Sequence, residues 1–528
     1  MQLSHAIDPS LPAMAWCLKL SRDAEIAAIV CGTSVQVDIE RAAFFEGAWA
    51  GDFSAMDFDV AGAVFGSGAR LIENGDAVLI VPPSHTCERI QYLHRPRTGE
   101  TFASNSLAFL LEAAGDELDP GYADYIADFE RIVYGLDHAD TSIPTRGGET
   151  IHLVYHHNVR LTRAGEAQLI EKPLAPAFDD YASYRAMMEA TFRSLIDNAS
   201  DPARNLAAAL GTAGNNISGG AIYEPLTSIS TGYDSPAGAV LAAKVGCNRA
   251  ITFAQARPEK GEAVEDSGAA IGEKLGMTVT EFARDEYLAA TESPEAEFLA
   301  TGMSGEDVIM TAFEPALQKA VFFTGFHGDK IWDKLAHIPP NAQLKRGDLS
   351  GGSLNEFRLR VDFVHVPVPF IAGRQLEAID RISNRQDMRP WSIGGDYDRP
   401  IPRRMVEEAG VARDAFGQSK KAATALIHLD GPKITSARTR AQIAAFESEH
   451  ALPPETLEAL DRQGKSERRG FFAMRVLRKL KLLGLVPSIA HRRFGIHNHS
   501  ARGLQMLRWA LTQIRPRYAT ASKRLRAA

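Results

Sequence analysis

Apolar and polar positions alternate with a period of two through about the first 175 residues, in AEIAAIVCG, GAVFGSGARLIENGDAVLIVPP, IQYLHRPRTGETFASN and ETIHLVYHHNVRLTRAGEAQLIEKP. A two-residue period sends successive side chains to opposite faces of a sheet, so this region predicts short strands in a mostly β or α+β domain. Asn74-Gly75 and Ala164-Gly165 fall between such runs, where a hairpin corner needs residues that accept positive φ. From Asp179 the period lengthens, and DDYASYRAMMEATFRSLIDNAS predicts an amphipathic helix followed by a Gly- and Asn-rich loop, GTAGNNISGGA. An apolar strand at Leu226 to Ile229 comes next, then the turn STGYDS and a helix from about Pro236 to Lys244. RAITFA predicts a second strand, DSGAAIGEKLG a helix stopped by Gly276, and MTVTEFA a third strand. Strands alternating with helices at this spacing predict βαβ units and a parallel sheet. VFFTGFHGDKIW, from Val321 to Trp332, repeats the logic of a strand followed by glycines and an acid. From Phe363 onward, apolar runs broken by prolines predict a mostly helical cap.

Composition adds class and partners to this picture. A chain of 528 residues is too long for one ordinary core. The patterning divides it into residues 1–175, 176–430 and 431–528. With 45% hydrophobic and 23% charged residues the chain matches an ordinary soluble globular protein and excludes wholesale disorder. No apolar run approaches the roughly 20 residues that span a bilayer, and the N-terminus lacks the basic-then-apolar order of a secretory signal, so a cytoplasmic location is expected. Cys17, Cys31, Cys87 and Cys247 form no CxxC pair, which predicts reduced core thiols and no structural zinc. The net charge of −8 conceals an asymmetry: from Lys465 to the end there are 16 Lys and Arg against the single acid Glu467.

The chemistry concentrates at STGYDS, residues 230–235, where a strand end meets a helix start. Small residues there let backbone N–H groups approach a ligand closely, and a helix N-terminus favours an anion. Neither GxxxxGK[ST] nor GxGxxG occurs in the chain, so the common phosphate loops are excluded. Taken alone, the string also fits an Asp- and Ser-capped helix start.

STGYDS closely resembles the SGGxDS pyrophosphate loop of the N-type ATP pyrophosphatases. TGFHGDK, at the later strand end, is similar to SGxGxDE, and the fuller pattern resembles the synthetase domain of the asparagine synthetases. TFASNSLAFLLEAAG and GGETIHLVYHHNVRL look like the closing strands of that family's N-terminal amidotransferase domain, an α+β Ntn-hydrolase-like fold. The resemblance covers roughly residues 1 to 430 and implies a parallel-sheet ATP-pyrophosphatase domain, of the adenine nucleotide alpha hydrolase-like class, behind a degenerate amidotransferase-like domain. It implies ATP and Mg²⁺ as cofactors and adenylation of a carboxylate, with pyrophosphate leaving into the Ser/Gly turn and ammonia or an amine as the nucleophile.

Carried over by position, Ser230, Thr231, Gly232, Tyr233, Asp234 and Ser235 bind ATP and pyrophosphate, Asp234 and Asp329 hold Mg²⁺, and Gly325 lets AMP pack against the second strand end. Lys420 stands about where the family has a late active-site lysine, with Lys421 an equal candidate. The chain departs from the pattern at Phe326 and Lys330, where the family has acids, which leaves the nucleophile open. The family's glutaminase needs a cysteine at the mature N-terminus, whereas Gln2 follows Met1, so intrinsic glutaminase activity is not expected. A small-molecule or saccharide carboxylate is the implied substrate, as in saccharide or specialised-metabolite biosynthesis. A tRNA-modifying enzyme with the same loop and a nucleotide-binding pseudoenzyme scaffold stand as alternatives.

Outside the resemblance, FFAMRVLRKLKLL places Phe472, Ala473, Val476, Leu477, Leu480 and Leu483 on one helical face and Arg475, Arg478, Lys479 and Lys481 on the other. Such a helix either lies in an anionic membrane interface or docks on the acidic body of the protein. Its aromatics do not interleave with its cations, so a nucleic-acid partner is not expected. His156-His157 and the group His491, His497 and His499 match no zinc spacing and are expected to bind no metal.

Overall fold

The period-two patterning is realised in two seven-stranded sheets packed face to face. The structure, a computed structural model, describes residues 1–138, 142–204, 217–259, 262–334, 343–346, 348–395, 397–427, 434–479 and 501–528. The start of the Gly/Asn-rich loop (211–216) and the positions Leu480, Lys481, Leu483, His491, His497 and His499 lie outside the described residues.

The first sheet runs in the order β1 (Gln2–Ile7), β3 (Ile26–Cys31), β2 (Trp16–Ser21), β9 (Glu100–Ser104), β8 (Ile90–Arg95), β11 (Thr150–Val154) and β10 (Ser142–Pro144). The second runs β13 (Ala167–Ile170), β12 (Asn158–Thr162), β7 (Ala77–Val81), β6 (Val64–Ile72), β5 (Ala43–Trp49), β4 (Gln36–Asp38) and β14 (Ile217–Ser218). Only β1 and β3 pair in parallel; every other neighbour in these two sheets is antiparallel. Alternation places Trp16, Leu18 and Leu20 of β2 in one buried cluster with Phe44, Val78, Ile80, Val159 and Leu161 of the facing sheet. Cys17, between them, turns to the other face and shares a cluster with Phe109 of the helix Leu107–Ala114. Asn74 and Gly75 adopt φ of 56° and 89° at the β6–β7 corner, the conformation the sequence calls for.

The third sheet is wholly parallel, with β15 (Glu224–Ser228), β16 (Arg249–Phe253), β19 (Thr278–Phe282), β20 (Ala320–Thr324) and β21 (Val364–Pro367) in the order β19-β16-β15-β20-β21. The chain winds outward from β15 in one direction and then returns to its other side, so the strand order reverses between β15 and β20. In open parallel sheets this reversal leaves a crevice beyond the carboxyl ends of the two strands. The helix Tyr181–Ala199 leads into this sheet and starts with a capping box, in which Ser183 N donates to Asp180 Oδ1 at 2.8 Å and Asp180 N donates to Ser183 Oγ at 3.1 Å.

Two elements differ from the sequence expectation. β21 lies in the stretch expected to be a helical cap; its four residues, Val364 to Pro367, are too few to carry a period, and pairing with β20 decides their state. A hairpin, β17 (Gln255–Glu259) and β18 (Glu262–Glu265), stands between β16 and the next helix. Beyond β21, helices Leu376–Ser383 and Pro400–Glu408 with intervening 3-10 turns form the expected cap.

The basic end divides. The helix Pro454–Lys479 leaves Phe472 70% exposed, with Ala473 and Val476 also exposed. The helices Ala501–Ile514 and Ala519–Ala527 instead bury Leu504, Leu507, Trp509, Ile514 and Leu525. Their cations meet body acids, Arg515 with Glu112 at 3.0 Å and Arg524 with Asp8 at 3.2 Å, and Arg517 pairs with Glu297. Among the described residues, no helix is long and apolar enough to cross a membrane.

Candidate functional site

Gly325 and Gly328 bring the two strand tips at the sheet reversal into contact. A Cβ on Gly325 would stand 2.5 Å from Ser235 N and 2.7 Å from Asp234 Cβ, and one on Gly328 would stand 2.1 Å from Asp234 Cγ. Both positions therefore need glycine for the loops after β15 and β20 to interlock. The constraint on Gly325 comes from the neighbouring loop of this chain. Gly232 differs: a Cβ there would meet only Ser230 Oγ at 3.4 Å and Tyr397 Oη at 3.7 Å, ordinary contacts. What the missing side chain keeps clear at Gly232 is the cleft.

The turn after β15 is closed by its own groups. Ser230 Oγ and Ser235 Oγ lie 2.9 Å apart, and Gly232 N donates to Ser230 Oγ at 3.2 Å. Thr231 donates through its hydroxyl to Asp266 Oδ1 at 2.6 Å, and Lys421 Nζ donates to Thr231 Oγ1 at 2.8 Å. The Tyr233 ring is buried, tilted against Tyr397 at 4.8 Å between centroids and with its hydroxyl accepting from Arg403. The Tyr233 side chain is fully buried beside the cleft.

Asp234 begins the helix Asp234–Ala243, and its Oδ2 accepts from Arg399 at 2.5 Å. Its Oδ1 is buried and makes no hydrogen bond. Burial raises the Asp234 carboxyl from 3.8 to about 6, with Asp329 and Asp333 adding to the rise and Arg399 opposing it. Asp329, at the second tip, accepts from Lys420 Nζ at 2.9 Å and stands 3.3 Å from Lys330 Nζ. Burial also pushes Asp329 up, but Lys330, Lys420 and Arg399 outweigh it and hold the carboxyl at about 2. Two carboxylates with one orphaned buried oxygen form an all-oxygen donor set of the kind a hard divalent cation takes.

These groups line a cleft of about 280 Å³ whose other wall is apolar, with Ile251, Phe253, Ile309, Met310 and Phe313. Ser230, Gly232, Tyr233, Asp234, Ser235, Gly325, Asp329, Lys420 and Lys421 line this cleft, and Thr231 stands in the turn beside it, bonded to Lys421. The sequence reading missed Arg399, His327, Asp307 and Asp348, which also line it. One signal was available for His327: it occupies the second glycine of SGxGxDE. That position has φ 64° and ψ 16°, a left-handed conformation that suits glycine and is uncommon for other residues. Arg399 and Asp348 carry no such mark, since each is brought in from a distant segment.

Burial, assisted by Arg346, lowers His327 to about 4, so the ring is neutral near pH 7. His156 and His157 face each other at 5.7 Å between ring centroids, and among the described residues His327, Asp329 and Asp348 are the grouping with cation-ligand geometry. All four cysteines are buried unpaired thiols. No family model matches the chain, and no curated protein matches it.

Proposed function

We propose that the chain is an ATP-dependent carbon–nitrogen ligase that adenylates a carboxylate and releases pyrophosphate before attack by ammonia or an amine. The observation that carries this reading is the interlock of two strand tips at the sheet reversal, which sets Asp234 and Asp329 on one cleft with a Ser/Gly turn and two lysines. The likeness of STGYDS and TGFHGDK to the asparagine synthetase motifs supports it from the sequence side.

In this reading Asp234 Oδ1 and the free oxygen of Asp329 hold Mg²⁺, which when bound neutralises charge on the triphosphate. Arg399 fixes the Asp234 carboxylate by taking its other oxygen. Ser230 and Ser235 hydroxyls and the first amides of the ten-residue helix Asp234–Ala243 face the departing pyrophosphate, and Gly232 leaves it room. Lys420, 65% exposed and tethered only to Asp329, is free to swing its charge onto phosphoryl oxygens. The apolar wall of Ile251, Phe253 and Phe313 suits an adenine-sized ring. Burial pushes the thiols of Cys31 and Cys87 up to about 12, which supports a nitrogen donor other than glutamine hydrolysed by a cysteine of this chain.

Carboxylate-dependent exchange between ATP and pyrophosphate tests the proposal without knowledge of the nucleophile. A panel of small and sugar carboxylates is expected to contain at least one that supports exchange, and Asp234→Asn should lower that exchange by roughly 100-fold or more. Its melting temperature is expected to stay within a few degrees of the parent. Full exchange by Asp234→Asn, or exchange that requires RNA in place of a carboxylate, would overturn the assignment.

A further inference from the structure

His327 stands in an unusual position for a core histidine. Its Nε2 lies 2.7 Å from the Ser350 carbonyl and 3.2 Å from Arg346 Nε. Ser350 O can only accept, whereas Arg346 Nε would donate to a bare Nε2; the shorter contact decides for a hydrogen on Nε2, which leaves the lone pair on Nδ1. His327 is only 5% exposed, and its Nδ1 is buried without a hydrogen-bond partner. The nearest charged atom to Nδ1 is Asp348 Oδ1 at 3.7 Å.

The arrangement extends to three residues. One ligand atom from each of His327, Asp329 and Asp348 lies within 4.8 Å of the other two. Donors on one divalent ion with bonds of about 2.1 Å stand roughly 3 to 4 Å apart, so a small adjustment of Asp348, whose side chain is 43% exposed, closes the set. The Nε2–H donated to a backbone carbonyl is the outer contact that metal-bound histidines usually make, because it fixes both tautomer and ring plane. Arg346 braces the same carbonyl at 2.6 Å and reaches Thr86 O of the sheet sandwich at 2.9 Å.

We propose that His327, Asp329 and Asp348 form a binding site for a divalent transition ion, separate from the Asp234 end of the cleft. An imidazole nitrogen with two carboxylates favours Zn²⁺ or Mn²⁺ over Mg²⁺, which prefers oxygen alone. Asp329 Oδ2 already accepts from Lys420 at 2.9 Å and stands 3.3 Å from Lys330 Nζ, which leaves its other oxygen for the ion. The site stands on side-chain geometry and does not depend on the nucleotide reading.

The test uses the full chain, stripped with a chelator and titrated with ZnCl₂ and, separately, MnCl₂, without nucleotide, by calorimetry. One ion per chain is expected. Asp348→Asn should weaken binding at least tenfold. His327→Gly should do the same while keeping the fold, since glycine accepts the left-handed backbone at no cost. Absence of binding by the folded parent, or unchanged affinity in folded His327→Gly or Asp348→Asn, would overturn the proposal. Loss of pyrophosphate exchange alone would count against the ligase and leave this site standing.

Discussion

Glu306 is buried beside Asp307, Asp348 and Glu130, with the Arg346 cation also near. Burial first, and then the three acids, raise its carboxyl from 4.5 to about 8, while Arg346 opposes the rise. The folded protein therefore holds a proton on Glu306 between about pH 4.5 and 8 that the unfolded chain has released. Stability from this group is present at the acid end of the window and is lost as pH rises toward 8. Glu306→Gln mimics the protonated form, so its melting temperature relative to the parent should climb by several degrees between pH 5 and pH 8, in metal-free buffer. Equal pH profiles for the two proteins would show that Glu306 is ionised in the folded state. At this same scale the motif residues were readable from type and spacing, because small residues and an acid beside a helix start have few uses. Arg399 was not readable: Asp234 and Arg399 are far apart in the chain, and only the cap places the guanidinium on the carboxylate.

Each element shows which local signals were strong. The helix Tyr181–Ala199 was legible because its start is written in side chains, Asp180 and Ser183, that satisfy backbone groups reciprocally. Asp180→Ala removes the acceptor for Ser183 N and should cost about 1 kcal/mol. A urea unfolding curve monitored by far-UV circular dichroism would measure it, and a midpoint unchanged from the parent would contradict the capping role. β21 was illegible for the complementary reason, since four residues ending in Pro367 carry no helix or strand period of their own. The hairpin β17–β18 carries many charged residues and takes its state from its own cross-strand pairing. Where an element holds its own cap or its own alternation, sequence suffices; where pairing with a neighbour decides, it does not.

Across the whole molecule, buried ion pairs tie the sheet sandwich to the parallel sheet. Arg358, from the helix Asn355–Val361 that precedes β21, meets Glu46 of β5 at 2.8 and 2.9 Å and Glu88 of the β7–β8 connection at 2.8 Å. All three are almost completely buried. Arg358→Met strands two carboxylates in the interior and should destabilise the protein by about 3 to 5 kcal/mol, measured by urea unfolding. Adding Glu46→Gln and Glu88→Gln should recover most of that loss, because the uncompensated charges go with the cation. A small effect of Arg358→Met alone would show that water reaches the pair. The docking of helix Ala519–Ala527 against the sandwich, by way of Arg524 and Asp8, likewise joins the last residues of the chain to its first strands.

The sequence by itself determined the local units and the chemical types: alternating strands in the first third, the βαβ rhythm after it, the cap of the long helix, and the acid-bearing small-residue turns at two strand ends. These depend on periodicity and on contacts between near neighbours, which a linear chain records. The tertiary structure alone decided that both turns meet at the reversal of the parallel sheet, that Arg399 and Asp348 join them, and that His327 is held in a left-handed backbone with its Nδ1 buried. Those facts arise from close packing between segments far apart in the chain, where a single Cβ at Gly325 or Gly328 would force the tips apart.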